Sequence, residues 1–180
     1  MPYAPKPGDI GLVKMPGTVG RVIRSAQWLN GEGYKDYEHA FTVVGNMIRG
    51  GDTGPDDSMK IVEAMPGGAL LSPLSRYAHL EPVYLRCPDH FRDPVADAAM
   101  SFVGVPYSAA DYAALAAHRF HIPVPGLKRY IESSGHMICS QLADRAAGLG
   151  GWHIFTDGRW PGYVTPAGLY VQYLRQLTVQ

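Results

Sequence analysis

Cysteine is scarce: Cys87 and Cys139 are the only two in 180 residues. That leaves no disulfide framework and no thiolate spacing for zinc, and it fits a reducing compartment or a free catalytic thiol. The sequence also leaves room for a single bond between the two. An excess of one charge is also lacking. Lys plus Arg and Asp plus Glu number 16 each, with no long block of either sign, so the electrostatic footprint of a nucleic-acid binder or of a protein held on an anionic membrane is missing. No apolar run approaches the ~20 residues that cross a bilayer, and no integral membrane segment is expected. The opening stretch, with Pro2, Pro5 and Pro7 before Gly8, has no apolar core of a secretory signal. The expectation is a protein that is cytoplasmic as synthesised, with release or carriage in a larger assembly also compatible. No internal repeat, low-complexity tract, P-loop or dinucleotide fingerprint occurs, and no cofactor is expected. His118 and His121 have a metal-like spacing but no third ligand follows at a useful distance, so they read as two exposed histidines and no metal is expected.

What is present suffices for one substantial core. At 46% hydrophobic, residues 1–180 read as a single domain. Pro7-Gly8-Asp9 is a turn signal leading into Ile10-Gly11-Leu12-Val13, a first strand. Val19, Val22, Ile23, Ala26 and Leu29 fall at helical spacing after Thr18 and before Asn30-Gly31. Residues 37–45, rich in aromatic and β-branched side chains, predict a strand with His39, Phe41 and Val43 on one face. After a Gly/Asp-rich loop come strands over 59–64 and 69–71 about a Pro66-Gly67-Gly68 turn, a helical turn over 74–77 and a strand over 82–86. Helices are predicted over 94–103, 109–118, 127–133 and from Cys139 through Ala147. Pro166 at a first helical position opens a last one over 167–174. Strands early and helices late argue α+β rather than a βαβ array.

Cys139 stands directly before an apolar-periodic stretch, at the first turn of its helix. There the unsatisfied backbone N–H groups and the positive end of the helix dipole stabilise a thiolate. It also reads as a buried structural cysteine, because Cys139, Leu142 and Ala146 share one helix face. A cysteine nucleophile needs a base, and His is the side chain whose pKa suits that work near neutrality. Of seven histidines, only His39 begins a strand beside an apolar run that would hold its ring, although a satisfied core or edge-strand histidine fits there as well. The others lie in polar, Pro-broken or loop contexts. Glu63, near the end of an apolar strand, is the candidate for orienting the imidazole; a glutamate facing water from an edge strand is the alternative. Cys87, before Pro88 and with no helix behind it, reads as a packed, unreactive thiol.

The order His39, Glu63, Tyr107, Cys139 resembles the circularly permuted members of the NlpC/P60 superfamily of papain-like cysteine hydrolases, the YiiX-like group, in which the Cys helix follows the His strand. The matching pieces span nearly the whole chain. They are Pro7-Gly8-Asp9-Ile10, Glu38-His39-Ala40, Val62-Glu63-Ala64 with Gly67-Gly68, Pro106-Tyr107, Ile138-Cys139-Ser140-Gln141-Leu142 and Thr165-Pro166. The resemblance implies a permuted papain-like fold, a small antiparallel sheet or barrel packed against helices. It implies Cys139 as nucleophile, His39 as general base and then acid, Glu63 as orienting group, and Tyr107 lining the site beside the backbone N–H of Cys139 as oxyanion donor. Gln141, where an acid often follows Cys-Ser, and Ser108, where an Asp commonly follows the tyrosine, depart from the pattern and bear on substrate preference.

The leading expectation is therefore a cysteine amidase or peptidase, a thiol protease in the broad sense, acting on a peptide-like substrate such as cell-wall peptide through a thioester acyl-enzyme. The runner-up is a lipid acyltransferase or thioesterase on the same site, with Ile122-Pro123-Val124-Pro125 as a candidate wall for an acylated small substrate. A binding or structural module without turnover is the third. The sequence leaves the oligomeric state open.

Overall fold

The structure is a computed structural model in which residues 3–15, 37–46, 59–65, 67–106, 138–158 and 164–179 are described. The predicted helices over 18–30, 109–118 and 127–133, the 122–125 segment, Tyr107, Ser108, His118 and His121 lie outside those residues.

Strands β1 (Ile10–Val13), β2 (His39–Gly45), β3 (Lys60–Met65), β4 (Gly68–Pro73) and β5 (Val83–Leu85) form one antiparallel sheet in the order β4-β3-β2-β1-β5. A 3-10 helix, Leu74–Leu80, connects β4 to β5. Helices α1 (Arg92–Ser101), α2 (Cys139–Leu149) and α3 (Pro166–Val179) follow. The architecture is α+β, with an open sheet among the described residues. β2 is central and buried along its whole length, which requires cover on both faces. Alternate side chains divide between them. Ala40 and Val44 meet the apolar clusters of α1 and α2, whereas Phe41 and Val43 pack with Val13, Ile61 and Tyr77 under the 3-10 helix.

Two close approaches need glycine. Gly11 faces Phe41 in register, and a Cβ there would lie 2.1 Å from the Phe41 ring. At the end of α2, a Cβ on Gly150 would lie 2.5 Å from Val95, so the missing side chain lets α1 and α2 touch. Helix α3 starts as its sequence dictates: Thr165 Oγ1 accepts the Gly168 N–H at 2.8 Å, an N-cap ahead of Pro166. It runs five residues beyond the predicted end at 174, because Leu177 and its neighbours extend the turn pattern without a breaker.

Asp9 ties the strands to α1. Its carboxylate is fully buried. Oδ1 accepts from the Cys87 N–H at 2.9 Å and from Arg92 Nη1 at 2.7 Å, while Oδ2 accepts from the Tyr3 hydroxyl at 2.7 Å and the Lys6 N–H at 2.8 Å. With every donor aimed at it, this carboxylate repays its desolvation only while all partners stay in place. Asp9→Ala should cost roughly 3 kcal/mol or more of unfolding free energy, by analogy with breaking other buried pairs. Urea denaturation measures it, and a loss under ~1 kcal/mol would show that the cluster is not a structural anchor.

Candidate active site

The two halves of the site come from opposite faces of the sheet. β2 and β3 pair with Phe41 opposite Glu63, so His39, two residues before Phe41, lies diagonal to Glu63 on the same face. Their side chains meet: His39 Nε2 is 2.8 Å from Glu63 Oε2. Glu63 does not face water. β3 is flanked by β2 and β4, and the residue is fully buried. Cys139 arrives on α2, among Val62, Leu142 and Ala146. His39 opens β2, and at that strand end groups from the two faces come within reach of each other.

Cys139 occupies the first position of α2, after Ile138 in an extended conformation. The hydroxyl of Ser140 donates to the Val164 carbonyl at 2.7 Å, and Gln141 Oε1 accepts the Ile138 N–H at 3.1 Å. The latter is the returning half of a capping box; Ile138 has no side-chain acceptor to supply the other half. Gln141 thus fixes the helix start. The Cys139 sulfur accepts from the backbone N–H groups of Ala40 and Ser140 and lies 4.0 Å from the Glu38 carbonyl oxygen. Because Nε2 of His39 is held by Glu63, Nδ1 is the nitrogen left for Cys139. Both cysteines are free thiols.

Electrostatics follow from this enclosure. Burial raises the Cys139 pKa, but the charge and hydrogen bond of His39 and the two N–H donors outweigh it and hold the thiol below its ordinary value. For His39, burial alone would favour the neutral ring. The Cys139 thiolate and then Glu63 reverse that and raise the imidazole to about 9. Burial likewise opposes the Glu63 charge, yet hydrogen bonds from His39, Ser72 and Tyr77 keep it below the usual carboxylate range. Both shifts run in the direction that favours thiolate and imidazolium over the neutral pair. Cys87 is the contrast: burial pushes its thiol up to about 12, which makes it a poor nucleophile.

Sequence reading brings Cys139, His39 and Glu63 forward, and all three converge here. It misses three polar neighbours of Glu63. Tyr77 donates its hydroxyl to Glu63 Oε2, Arg76 Nη1 lies 3.4 Å from Oε1, and Ser72 sits beside both. They belong to the end of β4 and the 3-10 helix, where the sequence shows only a helical turn and carries no signal of which face it presents. Among the described residues no group of three or more His, Cys, Asp or Glu side chains is placed to hold a metal ion, and no helix is long and apolar enough to cross a membrane.

The ion pair has a definite pH signature. Alkylation of Cys139 by iodoacetamide should already be fast below the ~8.5 of a free thiol. In His39→Ala the midpoint should move upward, since burial then faces only the two N–H donors. A raised imidazole pKa stabilises the fold fully below its unfolded value of 6.5, and this contribution is lost as pH rises through about 9. An ordinary thiol midpoint, unmoved by His39→Ala, would remove the ion pair. Compared with protein-family models, with curated proteins and with solved structures, the chain finds no match.

Proposed function

We propose that the chain is a cysteine amidase or peptidase of the permuted papain-like type, cleaving an amide bond in a peptide-like substrate through a thioester acyl-enzyme. One observation carries this reading: a thiol at a helix N-terminus, an imidazole and a buried carboxylate, contributed by residues 139, 39 and 63, form one connected chain. The order of these residues and the packing of α2 across the sheet support the permuted arrangement. Cell-wall peptide is the substrate class that the family resemblance implies.

The chemistry follows from the resting charges. The Cys139 thiolate attacks the carbonyl carbon, forming a C–S bond while the oxygen takes up negative charge. The Cys139 N–H, at the open end of α2, is the natural donor to that oxygen. As the C–N bond breaks, the His39 imidazolium gives its proton to the departing amine. Neutral His39 then takes a proton from water, whose oxygen attacks the thioester carbonyl. The C–S bond breaks, the carboxylic acid leaves, and thiolate and imidazolium are restored. Glu63 stays ionised, holding the ring so that Nδ1 addresses sulfur, and it stabilises the imidazolium on both sides of the cycle.

Two mutational tests follow. Cys139→Ala should fold and lose activity by roughly 10⁴-fold or more, whereas Cys87→Ala should keep full turnover, because only one thiol is activated. Mass spectrometry of wild type during turnover should show an acyl adduct on Cys139. Turnover retained in Cys139→Ala would overturn the mechanism, and an adduct resolved by an added amine or alcohol instead of water would mark an acyltransferase.

Glu63→Gln preserves shape but removes charge. Turnover should fall at least roughly tenfold, and the loss should nearly vanish in a His39→Ala background, since members of one catalytic unit are non-additive. Full, additive losses in the double variant would assign the orienting role to another group.

A further inference from the structure

Glu63 presents its two oxygens to different surroundings. Oε2 receives both the His39 Nε2–H, at 2.8 Å, and the Tyr77 hydroxyl. Oε1 is buried with no close hydrogen bond among the described residues; its nearest charge is Arg76 Nη1 at 3.4 Å, and Ser72 is the carboxylate's third hydrogen-bonding neighbour. A carboxylate free to rotate would share its donors between both oxygens. Here two donors converge on one, which fixes the rotation of the group.

Tyr77 is held for this task. Its ring lies parallel to Phe41, with centroids 5.2 Å apart and planes 6° from each other, and it is tilted against the His39 ring at 5.5 Å. The ring is buried at 2% exposure. Such packing decides where the hydroxyl sits and denies it a second rotamer. Phe41 is in turn the register partner of Glu63, so the residue that positions Tyr77 and the residue that Tyr77 grips are neighbours across β2 and β3. Among the described residues, the titratable and charged groups facing the His39–Glu63 pair are Cys139 from α2 and Tyr77 and Arg76 from the 3-10 helix. Glu38, adjacent to His39 in sequence, accepts the Met15 N–H instead.

We propose that Tyr77 is a positioning residue of the site: its hydroxyl pins the Glu63 oxygen that receives the His39 proton, and thereby sets how strongly the carboxylate holds the imidazolium opposite Cys139. The inference rests on the reading of Cys139, His39 and Glu63 as one unit, but its test needs no substrate. A hydroxyl that donates to Oε2 withdraws negative charge from the contact with His39. Without it, that oxygen interacts with His39 alone, and the imidazolium is favoured further.

The experiment is the pH profile of Cys139 alkylation by iodoacetamide, together with the His39 titration by NMR, in wild type and in Tyr77→Phe. Phenylalanine keeps the ring and its stacking on Phe41, so thermal unfolding should change little. The His39 midpoint should rise above its wild-type value by about half a pH unit or more, a roughly threefold change in the protonation equilibrium. The shift should disappear when Glu63→Gln is also present, because the hydroxyl acts only through the carboxylate. An unchanged or lowered midpoint in a folded Tyr77→Phe would overturn the proposal, as would an equal shift in the Glu63→Gln background. Should the protein prove inactive on every amide while Tyr77→Phe still shifts the titration, the positioning role stands and the amidase reading falls. If amide turnover is present but the titration does not move, the reverse holds.

Discussion

A carboxylate buried inside a sheet must be surrounded by donors or lose its charge, and the site depends on how Glu63 meets that condition. It is placed on β3 by a register that sets it opposite Phe41, so every donor has to come from the same face. His39 supplies one from the strand beside it, and the end of β4 and the 3-10 helix supply the rest. The imidazole thereby gains a fixed tautomer and an orientation. Only then does the helix terminus of α2 have a counter-ion for its thiolate. Remove the carboxylate from this chain and burial would favour the neutral form of both His39 and Cys139.

A second buried carboxylate performs a different service. Asp9 gathers the start of β1, the exit of β5 and the first turn of α1 around one pair of oxygens. Its partners are backbone N–H groups, a phenol and a guanidinium that Asp89 also holds, at 2.7 Å. Cys87 joins this network through its backbone N–H, while the pKa of its buried thiol is pushed up. One carboxylate thus frames the sheet and another holds the His39 ring beside Cys139, so the two tasks fall to separate parts of the fold.

Much of this could be read from residue order. Alternation, turn glycines and the Thr165-Pro166 signal locate the strands and helices that the structure describes to within a few residues. The burial of Glu63 could not be read, because a short strand with one carboxylate looks the same at a sheet edge as at its centre, and only the strand order β4-β3-β2-β1-β5 decides. Tyr77 was hidden for a related reason. Its hydroxyl matters through contacts that span 14 residues to Glu63, across a register that local pattern does not encode. Gln141 shows the reverse situation: it looks like a departure at the site, whereas its visible role is to accept a backbone N–H at the start of α2.

The placement of Cys139 after both of its partners in the chain has a consequence for biosynthesis. Domains are made from the N-terminus onward, so the strands bearing His39 and Glu63 leave the ribosome before α2 does. Until α2 docks, the thiol has neither the helix N-terminus packed beside Ala40 nor the imidazolium opposite it, and its pKa is that of an unfolded cysteine. A nascent chain therefore lacks the surroundings that lower the Cys139 pKa, and these form only once residue 139 docks onto the sheet.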